Sequence, residues 1–236
     1  IHIYVTSKFR CVRDIREKRR LVGQPTKNGL IGHKESAVKI RLCEMYPAPQ
    51  GEGPTAGTPS LFVRLSGCNL HCGWCDSFYT WNFVGTKFKN EKQFSFPKVD
   101  RAKEMVEFET FELADRILTL CVETGVRNIV FTGGEPLLQQ KALVEVCDAL
   151  SRDGRVNLNY EIETNGTFGP SIEILNHQPR FNCSPKLENS GNEKTLRFRE
   201  KALRAIAQYP ISCFKFVVQS DMDEVEVKQI VAAAGM

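Results

Sequence analysis

The run Leu61-Phe62-Val63-Arg64-Leu65-Ser66-Gly67-Cys68-Asn69-Leu70-His71-Cys72-Gly73-Trp74-Cys75-Asp76 decides how this chain is read. Its first six residues are apolar apart from Arg64 and the closing serine, the pattern of a short buried strand. That strand delivers three cysteines, spaced CxxxCxxC, into the loop that follows. Three thiolates hold three corners of a cubic 4Fe-4S cluster and leave one iron open to a ligand from outside the protein. A structural zinc is the alternative reading, but zinc wants four ligands. His71 is wedged between two of the cysteines, and no second CxxC or HxxxH completes a zinc pattern. A disulfide scheme fits worse, because nine cysteines are an odd count and no export segment is recognisable.

Downstream, further strands are expected over Asn128 to Thr132, Asn157 to Thr164, Phe181 to Ser184 and Cys213 to Gln219. Between them lie helical faces. Leu113, Ile117, Leu118 and Cys121 form one, stopped by Gly125; Leu143, Val146, Cys147 and Leu150 form another; Leu203, Ile206 and Ala207 form a third. Strands alternating with helices predict an α/β fold with a parallel sheet, whose chemistry gathers at the carboxyl ends of the strands. The cysteine loop, Thr132-Gly133-Gly134-Glu135-Pro136, Glu163-Thr164-Asn165-Gly166, Ser184-Pro185-Lys186 and Gln219 all follow strands and are expected on one rim. The segment from about Asn82 to Glu109 reads as a surface insertion or a lid near the substrate.

The bulk composition bounds the rest. A chain of 236 residues with 42% hydrophobic and 25% charged residues fits one full α/β domain. No apolar run is long enough for a membrane span. The net charge of +4 is unevenly placed: residues 1–41 carry eleven Lys or Arg against three Asp or Glu, so the remainder is net acidic. We therefore expect a basic, poorly ordered extension over residues 1–35, a solvated tail in preference to a nucleic-acid arm, followed by one domain over 36–236. The extension lacks a secretory apolar core and fits a mitochondrial presequence poorly, so a cytoplasmic location is expected. The cysteines at 11, 43, 121, 147, 183 and 213 read as small core residues or incidental thiols.

CxxxCxxC followed by GGEP resembles the radical S-adenosylmethionine enzymes. The resemblance implies a partial (β/α)6 TIM-like barrel, a 4Fe-4S cluster on Cys68, Cys72 and Cys75, and S-adenosyl-L-methionine chelated to the open iron and cleaved to a 5'-deoxyadenosyl radical. It further implies cofactor contacts from Gly133, Gly134, Glu135, Glu163, Thr164, Asn165, Ser184, Pro185, Lys186 and Gln219. The glycines and Glu135 would receive the methionyl amine, Lys186 its carboxylate, and Ser184 and Asn165 the ribose or adenine. Each has a plainer reading beside it: Asn165-Gly166 as a turn, Ser184-Pro185 as a strand end, Lys186 as a solvated cation, and Glu161 with Glu163 as the wet face of a strand.

A narrower likeness lies upstream. Gln50-Gly51-Glu52-Gly53-Pro54-Thr55-Ala56-Gly57-Thr58-Pro59, with the strand and loops above, resembles the 7-carboxy-7-deazaguanine synthase family over about residues 40 to 220. That implies a carbon–nitrogen lyase of queuosine-type 7-deazapurine biosynthesis. Its small-molecule substrate, 6-carboxy-5,6,7,8-tetrahydropterin, would be converted to 7-carboxy-7-deazaguanine with loss of ammonia. Arg64 agrees physically, because an arginine in an apolar strand needs an anion, and its fork matches a carboxylate in two-point fashion. The alternative partner for Arg64 is Glu52. The substrate set implied is Pro49, Gln50, Gly51, Glu52, Arg64 and Thr132. Ser77 would supply a hydroxyl to Mg2+, or else cap the local turn. A single-electron donor such as flavodoxin and a homodimer complete the implied partners, with no nucleic acid and no membrane. The family extends past its last helix with a short stretch that closes the substrate pocket, so a chain ending at Ala234-Gly235-Met236 reads as C-terminally truncated. The rival functions are a glycyl-radical activase of the same superfamily and a non-catalytic iron-sulfur module.

Overall fold

The computed structural model describes residues 2–6, 38–154 and 156–236. Its strands are β1 (His2–Thr6), β2 (Lys39–Pro49), β3 (Pro59–Leu65), β4 (Val106–Glu109), β5 (Asn128–Gly133), β6 (Asn159–Thr164), β7 (Arg180–Cys183) and β8 (Ser212–Val217). They form one open sheet in the order β1-β8-β7-β6-β5-β3-β2-β4. Neighbours from β1 to β3 in that order are parallel, while β2 runs antiparallel to both β3 and β4. The principal helices are α1 (Thr110–Thr124), α2 (Gln140–Asp153), α3 (Ile172–Asn176), α4 (Glu200–Ala207) and α5 (Asp221–Ala234). Of these, α1 to α4 connect successive strands and α5 follows β8, so the expected partial (β/α)6 barrel is present. Of the expected basic extension, only residues 2–6 are described, as the edge strand β1; the remainder lies outside the described residues.

The alternation of strand side chains sorts the two faces of the sheet. Leu61, Val63 and Leu65 of β3, Ile129 and Phe131 of β5, Ile162 of β6, Phe181 of β7, and Phe214 and Phe216 of β8 pack in one core with the apolar stripes of α1, α2 and α4. Each fully buried side chain of this size contributes about 1.5–3 kcal/mol through removal from water. Their sequence neighbours Ser60, Phe62, Arg64, Asn128, Val130, Thr132, Glu161, Glu163, Asn182, Cys213 and Lys215 stand on the opposite, inner face. Gly125 ends α1 in the left-handed region at φ 73°, as its position after the last apolar residue predicts.

The longest strand, β2, is not predicted by alternation. A bulge between Leu42 and Glu44 breaks the period of two. Pro47 and Pro49 also argue against a strand, but β4 pairs only with Lys39–Leu42, so both prolines lie where β2 has an unpaired side. The segment expected as an insertion contains β4. Before it, Phe88, Phe94 and Phe96 pack around Trp81, with ring centroids 5.1–5.7 Å apart among the closest pairs. Among the described residues no helix is long and apolar enough to cross a membrane.

Candidate active site

The cysteine loop leaves the top of β3 and is held by groups from distant parts of the chain. Each thiol has an N–H donor aimed at its sulfur. Trp81 Nε1 donates to Cys75 Sγ at 3.3 Å, Asn192 Nδ2 to Cys72 Sγ at 3.4 Å, and Asn165 Nδ2 approaches Cys68 Sγ at 3.9 Å. Burial pushes the thiols up, Cys72 to about 12, with the charge of Lys186 working against this. A cationic metal centre would favour their ionised form, and the three donors suit sulfur that carries negative charge. The donor set fits an iron-sulfur cluster. A single zinc would want a fourth protein ligand beside the three thiols. His71 instead packs its ring 3.9 Å from Phe88 and 4.9 Å from Trp81, and burial lowers its pKa to about 4.

Thr132-Gly133-Gly134-Glu135 is threaded against the start of this loop. Gly134 N donates to Leu65 O at 3.1 Å and Glu135 N to Gly67 O at 2.8 Å. A Cβ on Gly133 would stand 2.2 Å from Leu65 O. The two glycines are thus required by the close approach of two backbones. The Glu135 carboxylate is fully buried and accepts from Leu137 N (3.0 Å), Thr164 Oγ1 (2.8 Å) and Asn165 N (2.7 Å). It braces the GGEP turn to the loop after β6. Asn165 continues the brace, donating to Asn69 Oδ1 at 3.0 Å. Gly166, at φ 75°, is a turn residue in the left-handed region, and a Cβ there would meet Cys183 Sγ at 2.7 Å.

Lys186 is half-buried, donates to Ser184 Oγ at 2.8 Å and sits 5.5 Å from the Trp74 ring centroid, so it is not the solvated cation of the plainer reading. Pro185 is buried between them in sequence. Ser77 is buried and its hydroxyl makes no helix-cap bond, which removes the capping alternative; its contacts are Gly133 O at 3.5 Å and Cys75 Sγ at 3.8 Å. Gln219 stands apart: its side chain is exposed, and its backbone N–H donates to Asp223 Oδ2 at the start of α5.

A second layer lies inside the barrel. Since β2 is antiparallel to β3, the Gln50–Thr58 loop lies at the amino ends of the parallel strands and closes that mouth. Its anchor is Glu161, which is not on a wet face: it is 1% exposed and accepts from Gln50 Nε2 (3.0 Å), Asn128 Nδ2 (2.9 Å) and Asn182 Nδ2 (2.9 Å). Gln50 Oε1 in turn accepts from Glu52 N at 3.1 Å. Pro49 and Gly51 are exposed at this loop. Arg64 and Thr132 are register partners across β3 and β5, and Thr132 Oγ1 donates to Glu163 Oε2 at 2.7 Å. Glu163 therefore belongs with Thr132 and Gln50 (3.4 Å) in the interior, apart from the cofactor-side loops where the sequence reading grouped it. Burial, then the charge of Glu52, pushes its pKa up.

Arg64 does not pair with Glu52. Its Nε donates to Glu44 Oε1 at 2.7 Å and Nη2 to Tyr46 Oη at 2.9 Å, while Tyr79 Oη donates to the same Glu44 oxygen at 2.6 Å. Glu52 pairs instead with Lys215 of β8. Glu44, Tyr46, Tyr79, Trp81, Asn192 and Lys215 are site residues that sequence reasoning missed. Lys215 alone carried a signal, being charged within an apolar strand as Arg64 is.

The Radical SAM superfamily profile matches residues 62–186. A 7-carboxy-7-deazaguanine synthase from Pyrobaculum aerophilum is 33% identical over 84% of this chain and 75% of its own length. The protein of that name from Clostridium acetobutylicum is 35% identical over 75% of this chain and 71% of its own. In fold, the crystal structure of QueE from Escherichia coli aligns with a TM-score of 0.58 at 24% identity, over 84% of this chain and 78% of that one.

Proposed function

From the premise that this chain belongs to the radical SAM superfamily and, within it, to the 7-carboxy-7-deazaguanine synthases, we propose how its residues divide the work. The substrate is 6-carboxy-5,6,7,8-tetrahydropterin and the products are 7-carboxy-7-deazaguanine and ammonia. Cys68, Cys72 and Cys75 hold the 4Fe-4S cluster. Gly133, Gly134, Thr164, Asn165, Ser184, Pro185 and Lys186 surround S-adenosyl-L-methionine, with Glu135 acting as the brace that shapes this cradle. Gln219 joins this set only through its place after β8. When bound, cluster and cofactor supply one-electron, hydrogen-abstracting chemistry.

The remaining residues bind and orient. Arg64, pre-oriented by Glu44 and Tyr46, meets the substrate carboxylate with the fork face those two leave open. Ser77 would offer its hydroxyl to Mg2+, a hard oxygen ligand suited to the ion. Glu52 and Glu163, with Thr132 and the Pro49–Gly51 backbone, accept hydrogen bonds from the aminopyrimidine edge. The barrel wall and the aromatic segment around Trp81 exclude water from the reacting centre. A cytoplasmic one-electron donor such as a flavodoxin supplies reducing equivalents, and the assembly is a homodimer.

The observation that carries this reading is the set of buried Thr132 and half-buried Arg64 and Glu163 on the inner face of the sheet, with Arg64 and Thr132 register partners and Thr132 bonded to Glu163. A glycyl-radical activase acting on a protein partner, or an iron-sulfur module, has no use for an inward-facing arginine and glutamate on the two strands that flank β5. Anaerobic incubation of reconstituted protein with dithionite, S-adenosyl-L-methionine, Mg2+ and the carboxytetrahydropterin should yield the deazaguanine by mass spectrometry. Cofactor cleavage without that product would overturn the substrate while keeping the superfamily.

A further inference from the structure

Lys215 is a half-buried cation in the barrel interior that the division of work above leaves without a role. Its neighbours define one. Cys213, two residues earlier on β8, donates its thiol to Asn182 Oδ1 at 2.9 Å, so alternation turns Lys215 to the same inner face. From there it pairs with the Glu52 carboxylate, 163 residues away in sequence. The side chains of the pair are 21% and 40% exposed, so Lys215 is the more withdrawn partner. Glu163 on β6 and Asp76 after the cysteine loop also act on it electrostatically. Glu163 is itself under the influence of Glu52, Lys215 and Arg64.

Glu52 and Glu163 are like charges that act on one another, and a cation set against them offsets that repulsion. Arg64 also acts on Glu163, but its Nε is committed to Glu44 at 2.7 Å and its Nη2 to Tyr46, and Glu52 pairs with Lys215 instead. Resting on the pterin reading, we infer that Lys215 is a specificity-determining positioning residue: its ion pair holds the Glu52 carboxylate in place, so that Glu52 and Glu163 serve as paired acceptors for the donor-rich edge of a 2-amino-4-oxopyrimidine ring. That edge presents an exocyclic amine and a ring N–H side by side, the donor pattern two carboxylates match. With Lys215 holding Glu52 in place and Glu163 nearby, this end of the pocket presents carboxylate acceptors. It therefore discriminates in favour of the 2-amino ring and against the 2-oxo analogue, which replaces that donor by an acceptor.

The test is steady-state kinetics of reconstituted enzyme with the carboxytetrahydropterin and with its 2-oxo (lumazine-type) analogue. Lys215→Met keeps the aliphatic stem and removes the charge. The expected result is a KM for the pterin raised tenfold or more, a smaller effect on kcat, and a pterin-to-analogue preference that falls by a similar factor. Lys215→Arg should restore most of both. In a Glu52→Gln background the same Lys215→Met change should cost less than twofold, since its partner charge is gone. If Lys215→Met folds poorly, the Lys215→Arg and Glu52→Gln/Lys215→Met variants, which leave no unpaired Glu52 carboxylate, carry the comparison. An unchanged pterin KM and unchanged preference in Lys215→Met, or a full additive loss in the double variant, would overturn the role of Lys215 alone. Failure of the unsubstituted chain to turn over the pterin would overturn the functional reading itself.

Discussion

Gly134 lies directly against Gly67, so close that a Cβ on Gly134 would stand 2.0 Å from the Gly67 carbonyl oxygen and 3.0 Å from Cys68 N. The obstructing atoms are backbone, and no rotamer change relieves them. Gly134→Ala must therefore move the start of the cysteine loop. We expect a loss of about 3 kcal/mol in chemical denaturation, at the upper end of overpacking costs, together with reduced iron content after reconstitution. Gly51→Ala is the control, because nothing lies within 4 Å of its Cβ position. An unfolding midpoint for Gly134→Ala equal to that of Gly51→Ala would refute the steric account.

Trp81 Nε1–H points at Cys75 Sγ from within the aromatic cluster, and hydrogen bonds to cluster sulfur stabilise the more negative, reduced state. Trp81→Phe keeps the ring packing and removes the donor. A net hydrogen bond of about 1 kcal/mol corresponds to roughly 40 mV for a one-electron couple. An EPR-monitored redox titration should therefore place the Trp81→Phe cluster at a lower potential by about that amount. Asn192→Ala, which removes the donor to Cys72, should shift it the same way. Potentials identical to the unsubstituted protein would show that these contacts do not reach the cluster.

The parts of the site that local pattern encodes were legible. A strand ending in clustered cysteines, a glycine pair before an acid, and Gly125 closing α1 each carry their signal within a few residues. The inner face was not legible, because its meaning lies in partners far apart in sequence. Arg64 announces a buried cation, yet nothing near it names Glu44, which sits just beyond the bulge that disrupts alternation in β2. Glu161 looks like half of a solvated pair until the amides of Gln50, Asn128 and Asn182 are brought around it. The glycines of the GGEP turn read as room for a ligand, and nothing local in the sequence shows that they also make room for the backbones of Leu65 and Gly67.

Glu163 gives the substrate site a pH dependence. Burial and the nearby Glu52 raise its pKa above the ordinary 4.5, so it is protonated at pH values where an exposed glutamate is ionised. Accepting from the pterin requires the ionised form. The acidic limb of kcat/KM against pH should accordingly lie above 4.5, and Glu163→Gln should remove that limb while lowering the plateau about tenfold. The sign for stability is opposite. In that window the folded state holds a proton the unfolded chain has released, so stability falls as pH rises from 4.5 through the raised value. Denaturation of Glu163→Gln across the same range should lack this decline, and a decline that persists would assign it to another group.

Arg64 makes the sharpest kinetic prediction. Its Nε and Nη2 are committed to Glu44 and Tyr46, which fixes the plane of the guanidinium. A lysine retains the charge but loses the fork and cannot satisfy both partners while also meeting a substrate carboxylate. Arg64→Lys should therefore lower kcat/KM for the carboxytetrahydropterin about 100-fold, on the order of 3 kcal/mol, chiefly through KM. Glu44→Gln keeps one acceptor for Arg64 Nε and weakens the restraint, so a smaller loss of about tenfold is expected. A substrate analogue without the 6-carboxylate should be insensitive to both changes. Equal losses for the two substrates would mean that Arg64 supports the pocket wall and does not read the carboxylate.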